Sequence, residues 1–299
     1  MHCYQWIDKI SEVSLDQAIK NNHSYLIICG KEDFNDNQLL KKILPEKWEK
    51  DTKKSKCYAE NHTEYISGHF ENLTNLNQTH IEIQFILSKT YCLLIINSLT
   101  FDHYHELLNI SSSPFDFFTK LLEKTHEKDY DLISKIEERL DDLEDCALDN
   151  KLDTFGRSYS EIRFQIRHSY RHYLQLEDFC DKLLENHINI FNKGTLFALT
   201  RFFEQSKRLC EYLRELREYS MQINEVYESQ INLRENHTMK ILTSVTILFT
   251  PAMLIVGWYG MNFDNMPELD WYFGYLFVIL LSLIITIITF IILKNKKFF

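Results

Sequence analysis

The run ILTSVTILFTPAMLIVGWYGMNF (residues 241–263) is followed by DNMPELD (264–270) and then by WYFGYLFVILLSLIITIITFIIL (271–293). Each long run is 23 residues without a charge. At 1.5 Å per residue such a helix reaches about 34 Å, enough to cross a hydrocarbon core of about 30 Å with some tilt. Soluble helices of that length carry charges on one face, and neither run does. Both are therefore read as membrane spans.

Their place near the C-terminus rules out a cleaved signal peptide, and residues 1–10 show no apolar or Arg-rich targeting pattern. Lys240 opens the first span and Lys294, Lys296 and Lys297 follow the second, whereas the loop between them holds only Asp264, Glu268 and Asp270. Lysine accumulates on the cytoplasmic side, so both termini are expected there, in the cell (inner) membrane. The chain carries a net charge of −10, and beyond residue 238 it has four lysines and three carboxylates, which leaves −11 on the rest. So acidic a cytoplasmic part argues against nucleic acid and for cations as partners. The seven cysteines form no C-x-x-C pair and read as reduced thiols. With no G-x-x-x-x-G-K-[ST], no nucleophile-base pair and no cofactor loop, the chain offers neither ATP hydrolysis, nor an enzyme, nor a prosthetic group.

The fold class is α+β: an N-terminal mixed α/β cytoplasmic domain, a long helical stalk and two C-terminal transmembrane helices. Residues 1–112 form the first domain, with strands at 23–29, 80–87 and 91–97 and helices at 15–21 and 37–50, the latter interrupted at Pro45. Ser88-Lys89-Thr90 joins the last two strands as a hairpin. Residues 113–193 read as paired helices, the first opened by Ser113 as N-cap and Pro114 at the first helical position. Its apolar rhythm (Phe118, Leu121, Leu122, Ile133, Ile136, Leu140, Leu143) persists to a break at 150–156. The second helix, 157–186, carries Arg163, Arg167 and Arg171 at i, i+4, i+8, a basic stripe expected to lie near the acidic surface of the first. His168 and His172 on the same helix are expected at the surface. Residues 194–238 form the stalk, 239–263 the first span, 264–270 an external loop, 271–293 the second span and 294–299 a basic tail. No proline or glycine interrupts the chain from Thr195 to Pro251. A helix continuous from there to Tyr259 would be nearly 100 Å long, and its polar length must pack on other helices, from other subunits.

Along the first span Thr243, Thr246, Thr250, Met253, Gly257 and Gly260 follow at steps of three and four. One face is therefore small or polar, with Met253 its one bulky member. Such a face suits helix packing in a membrane, or the lining of a pore.

YGMNFDNMPEL (residues 259–269), the aromatic-flanked second span and the terminal lysines resemble the CorA-type magnesium transporter family, over roughly residues 240–297. Its signature is Gly260, Met261 and Asn262. The resemblance implies a homopentamer embedded in membrane lipid, with the first span of each subunit lining a central pore below which the long helices form a funnel. Its function is then passive, channel-type transport of magnesium, with cobalt and nickel as further ions, driven by the membrane potential. Gly260 carbonyls and Asn262 amide oxygens would form an outer ring that selects the ion with its waters still bound. In register with the family, the pore runs from Gly257 past Met253, Thr250, Thr246 and Leu242 to Asn236. Asp264, Glu268 and Asp270 would concentrate dications at the mouth. Magnesium also closes the family's channels from the cytoplasmic side, and Asp141, Asp142, Glu144 and Asp145 are the candidates for such a regulatory site. The position of the family's sensing aspartate falls at Arg201, with Glu204 one turn on. Two other readings stay open: a zinc transporter of the same fold, and a membrane-anchored helical sensor or scaffold that conducts nothing.

Overall fold

The computed structural model describes residues 1–6, 10–20, 23–37, 40, 56–73, 81–97, 102–148, 154–261 and 271–296. In chain order the elements are β1 (His2–Trp6), β2 (Ile10–Glu12), α1 (Leu15–Lys20), β3 (Tyr25–Cys29), α2 (Lys31–Asp36), β4 (Cys57–Asn61), β5 (Tyr65–Glu71), β6 (Glu82–Ser88) and β7 (Tyr91–Ile96). The helices α3 (Asp102–Ile110), α4 (Pro114–Thr125), α5 (Asp129–Leu148), α6 (Phe155–Leu184), α7 (Lys193–Tyr259) and α8 (Gly274–Asn295) follow. The chain divides into two compact units, Met1–Cys146 with Asp153–Ile223, and Ala147–Leu152 with Asn224–Phe299. Most of the helix expected over 37–50 lies outside the described residues.

The first unit is built on a sheet of order β2-β1-β3-β7-β6-β5-β4. Only β3 and β7 run parallel, with Ile27 opposite Leu93. Every residue of these two strands is buried. That is why both read as unbroken apolar runs: a central strand covered on both faces has no polar side to show. The expected hairpin joins β6 to β7, with Leu87 opposite Cys92. Sequence reading missed β1, β2, β4 and β5. In β5 a period-2 signal exists, since Ile66, Gly68 and Phe70 are buried between more exposed neighbours, but glycine and histidine dilute it.

An aromatic cluster ties the sheet to the helices. Phe85 of β6 lies 4.9 Å, centroid to centroid, from Phe118 of α4 and 5.8 Å from Phe179 of α6. Phe70 of β5 is 5.9 Å from Phe179. Gly68 makes room for this cluster: a Cβ there would stand 2.3 Å from the Tyr58 carbonyl oxygen and 2.5 Å from the Phe85 ring.

The start of α4 is as expected, with Ser113 extended and its Oγ accepting from the Asp116 amide at 3.1 Å. The helix expected to continue to 150 instead ends at Thr125 and restarts at Asp129. The cause is a buried polar centre that draws His126 and Asp129 inward. Tyr173 of α6 donates its hydroxyl to Asp129 Oδ2 at 2.6 Å, and His126 Nε2 stands 3.5 Å from the same oxygen. Phe202 of α7 packs edge-on against His126 at 4.7 Å. His172 belongs to this centre too: it is 2% exposed, with Nδ1 3.9 Å from Cys57 Sγ. The expectation of a surface position fails for it because its helix turns Ile162, Ile166, Ser169, His172, Tyr173 and Leu176 toward the core.

That same rotation corrects the expected charge pairing. Where α5 meets α6, Arg139 donates to Gln165 at 2.7 Å and lies 3.8 Å from Glu161. The base is on α5 and the acid on α6, the reverse of what charge patterning predicts. Arg163, Arg167 and Arg171 are exposed. The long helix is continuous as expected: α7 starts after Asn192, whose Oδ1 accepts from the Thr195 amide at 2.9 Å, and runs for 67 residues.

Gly68→Ala should destabilise the first unit by about 1–3 kcal/mol, the range for overpacking a closed site; a lowered urea midpoint of the intact protein in detergent is the measurement. Burial, aided by His126 and Lys56, holds His172 at about 3 against an ordinary 6.5, and burial lowers His126 as well. A depressed folded pKa means that the unfolded chain takes up the proton first. Stability is therefore complete above pH 6.5 and falls as the pH drops toward 3, by up to about 1.4 kcal/mol per pH unit per proton. Unfolding midpoints between pH 7 and 5 should follow that slope, and His172→Gln should flatten it; an unaltered slope would refute the assignment.

Candidate functional site

The second unit holds the two helices that, among the described residues, are long and apolar enough to cross a membrane, α8 and the C-terminal part of α7. The α7 segment has two faces. Ser244 is buried and Leu248, Pro251, Ala252, Ile255 and Tyr259 are half-buried, spaced along one side of the helix. Thr246, Thr250, Met253 and Gly257 lie on the opposite side, all exposed, and exposed Leu242 and Gly260 border it. Met253 is 74% exposed. Asn236, six residues before Leu242, is exposed as well. The glycine at 257 answers to nothing inside the subunit, because a Cβ built there meets no atom within 4 Å.

The threonines on the free face share one geometry. Thr246 Oγ1 donates to the Leu242 carbonyl at 2.9 Å and Thr250 Oγ1 to the Thr246 carbonyl at 2.6 Å. Each hydroxyl hydrogen is committed to the helix, and the oxygen keeps its remaining acceptor capacity toward the outside. Pro251 follows at once, and its missing amide leaves the Ile247 carbonyl without the usual helical donor. Beyond it the helix closes with Gly260 N bonded to Val256 O at 3.0 Å and Met261 N to Trp258 O at 3.4 Å, a tightened last turn. Asn262, Asp264, Glu268 and Asp270 lie outside the described residues. Beside this end of the helix, a groove of about 860 Å³ runs between α7 and α8, with Val256, Tyr259 and Gly260 on one wall and Tyr275, Val278 and Ser282 on the other.

Of the four carboxylates named as a regulatory site, two are engaged by a tyrosine of α7. Tyr219 of α7 donates to Asp141 Oδ1 at 2.9 Å and contacts Glu144 Oε2 at 2.6 Å. Two turns earlier on α7, Tyr212 makes the corresponding bond to Glu137. Burial and then the Glu137 bond push the Tyr212 hydroxyl above its ordinary range, and the Glu144 bond, with burial, does the same for Tyr219. Asp142 and Asp145 are exposed beside Asp141, toward solvent. Among the described residues no group of three His, Cys, Asp or Glu side chains in one subunit is placed to hold a metal ion. Arg201, where the family's sensing aspartate would fall, pairs with Glu123 of α4. Sequence reading overlooked the tyrosines, though Tyr212 and Tyr219 stand seven apart, the spacing that meets Glu137 and Glu144 across a helix pair.

Comparison with known proteins points in one direction. The family model described as CorA-like Mg2+ transporter protein matches residues 93–296. The Magnesium transport protein CorA of Wolinella succinogenes is 31% identical over 253 residues, covering 75% of this chain and 72% of that protein. The protein of the same name from Campylobacter jejuni is 27% identical over 97% of this chain and 90% of its own length. Among solved structures, the complete CorA magnesium transporter from Methanocaldococcus jannaschii superposes with a TM-score of 0.78 at 16% identity, covering 100% of this chain and 98% of that one.

Proposed function

The chain belongs to the CorA-like Mg2+ transporter family, the transporters of magnesium and other divalent cations, and from that premise we propose that it conducts hydrated Mg2+ passively through a homopentamer, with cobalt and nickel as further ions. The observation that carries this reading is the free face of α7. Thr246, Thr250, Met253 and Gly257 stand exposed on the side that the subunit leaves uncovered, and Gly260, the first residue of the Gly-Met-Asn signature, is exposed at its border. Around a symmetry axis five such faces enclose a passage walled by small and polar groups. Gly257, which no neighbour inside the subunit requires, keeps that passage wide.

Magnesium exchanges its inner waters reluctantly and demands octahedral geometry. A wall that accepts hydrogen bonds from those waters suits it better than one that strips them, and the threonine oxygens, their own hydrogens committed, are such acceptors. In this reading Asn262 and the Gly260 carbonyls form the selecting ring at the outer end. Asp264, Glu268 and Asp270 raise the local dication concentration, and a neutral ring releases what they attract. The lysines outside the loop hold both termini on the cytoplasmic side of the cell (inner) membrane. The driving force is electrical: a dication gains about 4.6 kcal/mol per 100 mV, more than a thousandfold in concentration.

Regulation by cytoplasmic Mg2+ follows from the acidic side of α5. Asp141 and Glu144 share one hydroxyl, that of Tyr219, so an ion arriving there displaces a hydrogen bond between α5 and α7. Because α7 continues without a break toward the membrane span, a shift of its register at Tyr219 is felt along the pore face.

Two measurements test this reading. Asn262→Ala should lower Mg2+ influx into dye-loaded liposomes at least tenfold while the oligomer stays intact by native mass spectrometry; undiminished flux refutes the filter. Asp141→Asn with Glu144→Gln should leave the channel conducting at an internal Mg2+ level that closes the unaltered protein. Normal closure would remove these two carboxylates from the gating account.

A further inference from the structure

The first unit carries two charged stripes that its own chain leaves uncovered. On α6, Arg163, Arg167 and Arg171 are exposed at i, i+4, i+8, a stripe about 12 Å long. Phe164 at 58% and Leu174 at 41% exposure flank it. On α5, Glu138, Asp142 and Asp145 are exposed at i, i+4, i+7, about 10 Å long, on the solvent side of the carboxylates that Tyr212 and Tyr219 engage. None of the six charged groups makes an ion pair among the described residues. Arg163 and Arg167 are instead held over the rings of Tyr159 and Phe164, each 5.9 Å from the centroid. These contacts fix the guanidinium groups without neutralising them.

From this geometry we infer that the arginine stripe of each subunit docks on the Glu138, Asp142 and Asp145 stripe of the neighbouring copy, forming a seam between cytoplasmic parts that is separate from the pore. The inference rests on the homo-oligomer reading above. Charge complementarity selects the occupant. The part of the chain before residue 239 carries −11, a field that repels nucleic acid and anionic lipid alike, whereas a carboxylate stripe of matching length and pitch is present on every copy of the chain. Opposite stripes on one subunit call for a head-to-tail contact, since an isologous pairing would set arginine against arginine. Closed into a ring, that contact uses both stripes of every subunit. Exposed charge pairs contribute mainly to register and to partner choice, while Phe164 and Leu174 provide the apolar area that the seam covers. The seam also lowers the repulsion among several acidic subunits gathered around one axis.

The test uses the full-length protein in detergent, co-expressed as two differently tagged forms. One carries Arg167→Cys and the other Asp142→Cys, and a short bismaleimide is the crosslinker. Heterotypic dimers should exceed those from a mixture of two Arg167→Cys forms at least tenfold. In a second measurement, Arg163→Glu, Arg167→Glu and Arg171→Glu together should lower the temperature at which subunits dissociate at low salt. Adding Glu138→Arg, Asp142→Arg and Asp145→Arg to the same chain should restore it, which a folding defect would not. An intact oligomer without the heterotypic crosslink overturns the seam and leaves the transport reading standing. A monomeric particle overturns both the oligomer and the seam. Protection of Arg167→Cys from maleimide by phosphatidylglycerol micelles, in place of the crosslink, would assign the stripe to lipid headgroups and overturn the seam as well.

Discussion

A hydrocarbon layer offers a peptide group no hydrogen-bond partner, so every amide and carbonyl in the membrane must be satisfied within its own helix. The structure of α7 follows from that constraint. The helix cannot pause before the end of the span, and it does not: the bonds run to Tyr259, and Gly260 and Met261 still bond back to Val256 and Trp258. Pro251 is the exception, freeing one carbonyl at Ile247. It follows immediately after Thr250, whose hydroxyl adds a bond to the neighbouring Thr246 carbonyl. With α8 as its one companion span among the described residues, α7 is partly covered on one side and bare on the other.

In the first unit the organising element is a polar centre set among apolar layers. Asp129, His126, His172 and Tyr173 are all buried, and they bring the α4–α5 turn, α6, β4 and the start of α7 to one point. Two of the four ring nitrogens, His126 Nε2 and His172 Nε2, are buried without a hydrogen-bond partner among the described residues. A centre of this kind contributes less to stability than an apolar plug of equal size. It does restrict how the helices can be arranged, because each polar atom tolerates few neighbours.

How much of this was legible in the sequence depended on the strength of the local signal. The spans, the unbroken α7 and the Ser113-Pro114 start rest on residues whose effect is local, and they were readable. The β6–β7 hairpin and β3 were readable because central strands are apolar throughout. By contrast β4 and β5, on the outer side of the sheet, alternate Tyr, Glu, His and Ser with their buried residues, and glycine and histidine weaken the period-2 signal that β5 does carry. The break between α4 and α5 was invisible because His126 and Asp129 look like surface residues until Tyr173 reaches them from another helix. The same is true of His172. At the candidate site, the spacing of the threonines and glycines placed them on one face, and the family resemblance attached a purpose to it. Which side of α7 the subunit leaves bare, and that Tyr219 already engages two of the four carboxylates, are properties of packing that no single-chain pattern encodes.

The threonine hydroxyls have a consequence for the sign of the ion. The water shell of an anion turns its oxygens outward and needs donors from the wall, whereas the bare face of α7 presents oxygens that have already given up their hydrogens. If that face lines a passage as proposed, the lining turns chloride away without a charged side chain on it. On that reading, charge discrimination and easy release of the cargo, which a ring of carboxylates would set against each other, are reconciled in two side chains.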